Sequence, residues 1–364
     1  MAISTIGASA LDSGVSQLGK NLIHNGAMTV AQRGATITSP ADLAYTLDGW
    51  QARYSSSATI TISQDTTGIF AGIGGSPTCM KIDCTGAEAS VAAGEYYVIR
   101  QKIETQNCDF LNYAQTDALP VTLSFNIQSP KSGTHTGVLG NNAASSRSYA
   151  FNFTVASADT PERVSVTIPG DTAGSAIGQG ATTEGLRLNI PLLCGADNAK
   201  AAGSWGANIY EAGSGTPNLL DNTANNIYLG DVQLEVGSVA TDFEHEDYGT
   251  TLAKCQRYLF GINNALDGDV NVAFGMANGT TLMYCVVRLP NMRAVPTLTA
   301  TATDWELRDL SGLNQALTAI DLNTSSENYI TIQCTVASGL TQYRSYYLKA
   351  DGTLTRTILI SAEL

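Results

Sequence analysis

Charge is scarce in this chain. Asp, Glu, Lys and Arg make up only 14% of 364 residues, too few for long helices with solvated, charged faces. Gly, Ala, Ser, Thr and Asn abound instead, a mix that suits short strands and turns. Positive charge is scarcer still: 19 Lys and Arg against 32 Asp and Glu give a net charge of −13. Such a surface repels phosphate, which argues against nucleic-acid binding by backbone neutralisation. No apolar run approaches the ~20 residues of a membrane-spanning helix, so no membrane insertion is expected. The opening residues lack the basic start and apolar centre of a signal peptide.

The residues of bond-breaking chemistry are also few. There are three histidines: His24 at an expected strand start, His135 in a Ser-Gly-Thr turn, and His245. No Gly-x-Ser-x-Gly elbow accompanies them, so a serine or cysteine triad has no local support. Metalloprotease, phosphate-loop and dinucleotide motifs are missing. Glu244, Glu246 and Asp247 form an acidic cluster, which reads as solvated charge beside a connector. A non-enzymatic protein is expected, with no catalytic residue and no catalytic metal. Seven scattered cysteines read as buried free thiols, and Cys79 and Cys84 are too far apart for a zinc knuckle.

What the chain does have is alternation. "TITIS" (59–63), "EYYVIRQKIE" (95–104), "VTLSFNIQ" (121–128), "SYAFNFTVA" (148–156), "ERVSVTIP" (162–169), "GLRLNIPLL" (185–193), "GANIYEA" (206–212) and "NIYLGDVQLEVG" (226–237) follow a period of two. Gly, Asn, Asp, Ser and Pro clusters separate them. Short strands at this spacing predict an antiparallel sandwich of two sheets. In the last segment Val232, Leu234 and Val236 point inward and Asp231, Gln233 and Glu235 outward, a half-buried strand. Thr250 or Thr251 then caps a helix carrying Leu252, Cys255 and Leu259 on one face. Beyond about residue 261, "NVAFGMA", "TTLMYCVVRLP", "NYITIQCTVAS", "YRSYYLKA" and "LTRTILISAEL" resume the strand pattern. Asn278-Gly279 and Asp351-Gly352 mark tight hairpins. The run "NNALDGDVN" (263–271) places Asp267 and Asp269 in a hairpin tip in preference to a calcium loop, and "GSAIGQG" reads as a flexible loop.

Several fragments together resemble a family. "NLIHNGAMTVAQRG", "YTLDGWQ", "VTLSFNIQSPKSGTHTG", "DTPERVSVTIPGDTAG", "LGDVQLEVGSVATDFEHEDYGTTLAKCQRYL", "LPNMRAVPTLTAT" and the terminal "ISAEL" look like phage virion proteins of the tail-fibre, head-fibre or receptor-binding type. His245 stands where that family usually has arginine. The first block is also similar to jelly-roll carbohydrate-binding modules, through Asn21 to Gly26 and Gly230 to Glu235. Such modules hold a structural calcium with an acid soon after the Asn-Gly. Here Ala27, Met28 and Thr29 follow, leaving Asp231 and backbone carbonyls as hard oxygen ligands for a structural calcium; no other cofactor is implied.

The combined expectation is an all-β fold. It has an N-terminal arm (1–20), an antiparallel jelly-roll-like β-sandwich (21–248), a short helical connector (249–260) and a second smaller β domain (261–364). The resemblance implies a virion-surface homotrimer, in a tail or head fibre, made in the host cytoplasm. Its arm would contact other virion proteins, and its β domains could meet host-surface polysaccharide. Glycans are held by aromatic faces and polar side chains. Trp205, Tyr210, Trp50 and Tyr54 are the candidate glycan-binding residues of the first block, although Trp50 also reads as core. Trp305, Tyr343, Tyr346 and Tyr347 are aromatics of the second. The alternatives are a head-decoration or connector protein touching only virion partners, and a glycan depolymerase.

Overall fold

The computed structural model describes residues 20–142, 146–178, 180, 182–263, 271–350 and 357–364. The N-terminal arm up to residue 19, the loop with Asp267 and Asp269, and the Asp351-Gly352 turn lie outside them.

Strands dominate. In the first block they are β1 (Thr36–Thr38), β2 (Trp50–Ser55), β3 (Thr59–Asp65), β4 (Cys79–Gly86), β5 (Tyr96–Glu104), β6 (Val121–Gln128) and β7 (Gly133–Asn141). There follow β8 (Arg147–Val155), β9 (Glu162–Ile168), β10 (Glu184–Cys194), β11 (Ala199–Lys200), β12 (Trp205–Ala207), β13 (Ala212–Gly213) and β14 (Asn226–Val236). Two six-stranded sheets result, β1-β3-β4-β14-β6-β9 and β12-β8-β7-β10-β5-β2. The chain passes repeatedly from one sheet to the other, with β3-β4 and β7-β8 pairing within a sheet, giving a jelly-roll-like sandwich. Alternation does the packing: in β8, Phe151, Phe153 and Val155 are buried while Asn152 and Thr154 are exposed. Phe153 meets Phe125 of β6 edge-on at 5.1 Å, joining the two sheets through the core.

Strand β14 departs from the half-buried expectation. Asp231, Gln233 and Glu235 are as buried as Val232 and Leu234. Residues 237–247 fold back over their side, where Gln233 Oε1 accepts from the Glu244 amide at 2.8 Å and Glu235 Oε1 from the Thr241 amide at 2.8 Å. Satisfied hydrogen bonds make this polar layer tolerable inside the protein. On the other flank, Asn21 stands in for a strand: Oδ1 accepts from the amides of Ile23 and Leu234, and Nδ2 donates to the Val232 carbonyl. Gly26 approaches so closely that a Cβ there would lie 2.1 Å from the Val232 carbonyl oxygen.

The helix, α1 (Tyr248–Gln256), is capped by Asp247, whose side chain accepts from the Thr250 amide at 3.0 Å. Thr250 and Thr251 therefore sit in the first turn and are not the cap. Asp247 is preferred because its carboxylate also meets the positive end of the helix dipole. Thr251 and Cys255 face inward. Among the described residues no helix is long and apolar enough to cross a membrane.

The second block comprises β15 (Leu259–Asn263), β16 (Asn271–Ala277), β17 (Leu282–Arg288), β18 (Thr297–Thr299), β19 (Trp305–Arg308), β20 (Asn314–Ser325), β21 (Tyr329–Val336), β22 (Ser345–Ala350) and β23 (Thr357–Ser361). Strands β16-β17-β21-β20-β19-β22 close into a barrel, and β15-β23-β18 form a small sheet beside it. Trp305 and Tyr346 fill its core, whereas Tyr343 is exposed. This block meets the sandwich at several points besides the helix. Gln32 pairs with the Leu259 carbonyl and the Gly261 amide, Arg33 with Glu363 at 2.8 Å, and Arg293 with the Thr182 carbonyl.

Candidate functional site

Strand pairing collects polar groups on the outer side of the sheet β12-β8-β7-β10-β5-β2. Arg187 of β10 lies opposite Lys102 of β5. In the next row out, Asn189 faces Arg100, which faces Gln51 of β2. Beside them Arg53 of β2 lies opposite Val98. A protein with only 19 cationic residues thus sets four of them on one sheet surface. The opposite side of these strands carries Trp50, Ala52, Tyr97, Ile99, Ile103, Leu186 and Leu188, all in the core.

Most of these charges are matched. Arg187 holds Glu184 through Nε and Nη2 at 2.7 and 3.0 Å. Arg53 pairs with Asp42 at 2.5 Å and lies 5.2 Å over the Tyr96 ring. Lys102 donates to the Leu364 carbonyl at 2.6 Å; burial lowers its pKa to about 8, against the pull of Glu184. The loop through Tyr210 and Glu211 covers part of the face: Asn189 Nδ2 donates to Glu211 Oε2 at 2.9 Å. Burial raises the Glu211 carboxyl above its ordinary range, while Arg100, Arg187 and Arg53 act in the opposite sense. Arg100 is only 4% exposed, and its Nε donates to Gln51 Oε1 at 2.7 Å.

The four aromatic residues singled out in the sequence are not brought together. Trp50 is fully buried and donates from Nε1 to the Asn25 carbonyl at 3.4 Å, so no sugar can stack on it: its alternation with Gln51 turns it into the sandwich. Tyr54 stacks on Tyr97 at 4.6 Å. Trp205 lies in β12 and not in a free loop. Its ring contacts Tyr113 edge-on at 5.6 Å, and Nε1 donates to the Pro169 carbonyl at 2.7 Å. Trp205 and the β2 pair sit at opposite edges of the sheet. Tyr210, half-buried, belongs to the loop over the outer side. The arginine rows have one legible sign in sequence: in "EYYVIRQKIE", Arg100 and Lys102 share a side opposite Tyr97, Ile99 and Ile103. Their partners on β2 and β10 require register, which sequence does not print.

The histidines also sit elsewhere than expected. His135 lies within β7, buried and stacked on Phe153. His24 lies in a bend, stacked on Tyr258 at 4.8 Å. Among the described residues no group of three or more His, Cys, Asp or Glu is arranged to hold a metal. Asp231 occupies the bulge of β14 at φ 49° and accepts through Oδ2 from the Ser76 amide and Asn126 Nδ2.

No family model matches the chain, and no curated protein matches it significantly. Among solved structures it is similar to the enzymatically active domain of bacteriophage CBA120 tailspike protein 4, at 8% identity and TM-score 0.30, over 60% of this chain and 22% of that one. It is also similar to a putative sugar binding protein from Bacteroides thetaiotaomicron, at 15% identity and TM-score 0.32, over 60% of this chain and 100% of that one. A third likeness is a family 11 carbohydrate-binding module from Clostridium thermocellum in complex with a mixed-linked tetrasaccharide, at 9% identity and TM-score 0.27, over 56% of this chain and 98% of that one. At such scores none of the three bears on what this chain binds.

Proposed function

We propose that this is a non-enzymatic phage virion protein of the tail-fibre type, with a sandwich that binds host-surface glycan on the outer side of β12-β8-β7-β10-β5-β2. The observation carrying the glycan reading is the convergence of Gln51, Arg53, Arg100, Arg187 and Glu211, beside the backbone of Tyr210, on one partly covered sheet surface. Amides, guanidinium groups and a carboxylate in a half-dry setting are the groups that orient sugar hydroxyls. The virion reading rests on the ordered fragments from Asn21 to Leu364 that resemble phage fibre proteins. In that setting the arm anchors the chain, and assembly into a trimer multiplies weak sugar contacts by effective concentration.

Bond cleavage is not part of the proposal. Glycosidases use two carboxylates free to work across one bond. On this surface Glu184 is engaged through both oxygens by Arg187, and Asp42 by Arg53 and the Tyr54 amide. That leaves Glu211 without a second free acid on the same face among the described residues.

A glycan array with the wild-type chain and with Glu211→Gln is the test. Binding by the wild type that Glu211→Gln weakens supports the proposal; an array with no wild-type signal overturns the adhesin reading. A second reading, a head-decoration or connector protein, is favoured by the exposed apolar side chains Phe274, Met276 and Val286 on neighbouring barrel strands. Immunogold labelling of intact particles distinguishes the two by position.

A further inference from the structure

Arg100 stands apart from the other cations on this surface. It is 4% exposed, yet among the described residues no carboxylate lies within ion-pair distance of it. Its Nε is used by Gln51 Oε1. Neither Nη has a hydrogen-bond partner among the described residues, and neither is sealed from solvent. Glu211 and Glu184 act on it only at longer range, and burial together with Arg187 disfavours its charge. A buried guanidinium without a counter-ion is costly, and proteins ordinarily match such a group with a carboxylate or a full set of acceptors. Asp42 and Glu184 are committed to Arg53 and Arg187, and Glu211 is held by Asn189 beyond ion-pair distance, so no carboxylate among the described residues meets the Arg100 fork.

We infer that Arg100 is the anchor of an anion subsite, completed by the carboxylate of an acidic saccharide lying across the outer side of the sandwich. A planar carboxylate matches the two free Nη donors of a guanidinium fork, the strongest neutralising pair available to it. Arg53 and Arg187 flank the position on neighbouring strands, each paired with its own carboxylate, and leave Arg100 as the unpaired cation between them. Asn189 holds the Tyr210 carbonyl and Glu211 Oε2 of the loop above, which sets the Glu211 carboxylate beside the subsite. This inference deepens the glycan reading above and rests on it.

The experiment compares binding of oligogalacturonate with binding of the same oligosaccharide fully methyl-esterified, by calorimetric titration, for the wild type, Arg100→Gln and Arg344→Gln as a distant control. The expected result is at least tenfold tighter binding of the free acid by the wild type and by Arg344→Gln, with the preference lost in Arg100→Gln. Equal binding of acid and ester by the wild type overturns the anion subsite while leaving glycan binding intact. An unchanged preference in a folded Arg100→Gln overturns Arg100 as the anchor. Binding of dextran sulfate without binding of oligogalacturonate overturns the carboxylate assignment. An absence of binding to these ligands, together with a blank glycan array, overturns the underlying adhesin reading as well. Should Arg100→Gln fail to fold, the wild-type comparison of acid with ester still decides.

Discussion

Arg257 grips Glu104 with two parallel hydrogen bonds, Nε to Oε2 at 2.8 Å and Nη2 to Oε1 at 3.0 Å. Tyr258 adds its hydroxyl to the same carboxylate at 3.2 Å. Glu104 is fully buried at the end of β5, so the residues just after the helix hold a charge that cannot reach water.

Removing the cation strands that charge. Breaking a buried pair by deleting one partner costs about 3–5 kcal/mol, because the remaining ion is uncompensated. Arg257→Met should therefore lower the urea midpoint sharply, and Arg257→Met combined with Glu104→Leu should recover most of the loss. Comparable losses in the single and double variants would show that the pair is not what holds this junction.

His24 should make stability depend on pH. Its ring is buried against Tyr258, and burial, helped by Lys254, lowers its pKa from 6.5 to about 4. The unfolded chain takes up this proton near pH 6.5 and the folded chain only near pH 4. The contribution is thus complete above pH 6.5 and is lost as pH falls towards 4. At roughly 1.4 kcal/mol per pH unit this amounts to about 3 kcal/mol. Urea unfolding of wild type and His24→Gln between pH 7.5 and 4.5 checks it: the gap between the two stabilities should change across that window. Parallel curves would contradict the assignment.

Trp205 should matter for folding more than for ligand. Its ring packs on Tyr113 and Tyr149, and its indole N–H is spent on Pro169. Trp205→Ala should cost about 2 kcal/mol, less than a fully buried tryptophan because the residue is only partly buried. Glycan affinity, measured on the folded fraction, should stay within twofold of wild type.

Seven free cysteines make a simple count. Six are buried and Cys194 is half-buried, and burial pushes the thiols of Cys79 and Cys194 up to about 12. Thiolate is the reactive form, so the native protein at pH 8 should react with a thiol reagent at one site at most, slowly. In guanidinium without reductant all seven should react. A denatured count of five would reveal a disulfide.

The sequence made the strands legible wherever apolar and polar residues alternate without interruption. "VTLSFNIQ" is β6 from end to end, and "ERVSVTI" is β9. It misled where a third layer intervenes: the polar side of β14 faces residues 237–247 and not water, a long-range fact that periodicity cannot carry. "GANIYEA" alternates as well, yet only its ends join short strands, since its middle lies over the outer side of the sheet. The candidate surface was hidden for a related reason. Arg53, Arg100 and Arg187 are far apart in the chain, and only cross-strand register makes them neighbours. Aromatic content pointed to Trp50 and Trp205, whose size makes them valuable to the core or its rim.

Leu259 lies opposite Ser361, and β15 and β23 run side by side along their length. The polypeptide therefore departs for the barrel and comes home through adjacent doorways, both fastened to the sandwich. Insertions with neighbouring ends are tolerated by a host fold because they leave its own path undisturbed. Evolution or an engineer could then exchange the barrel strands for another module, altering what the far end presents, provided that β18 and Arg293, which bond β23 and the Thr182 carbonyl, stay with the host.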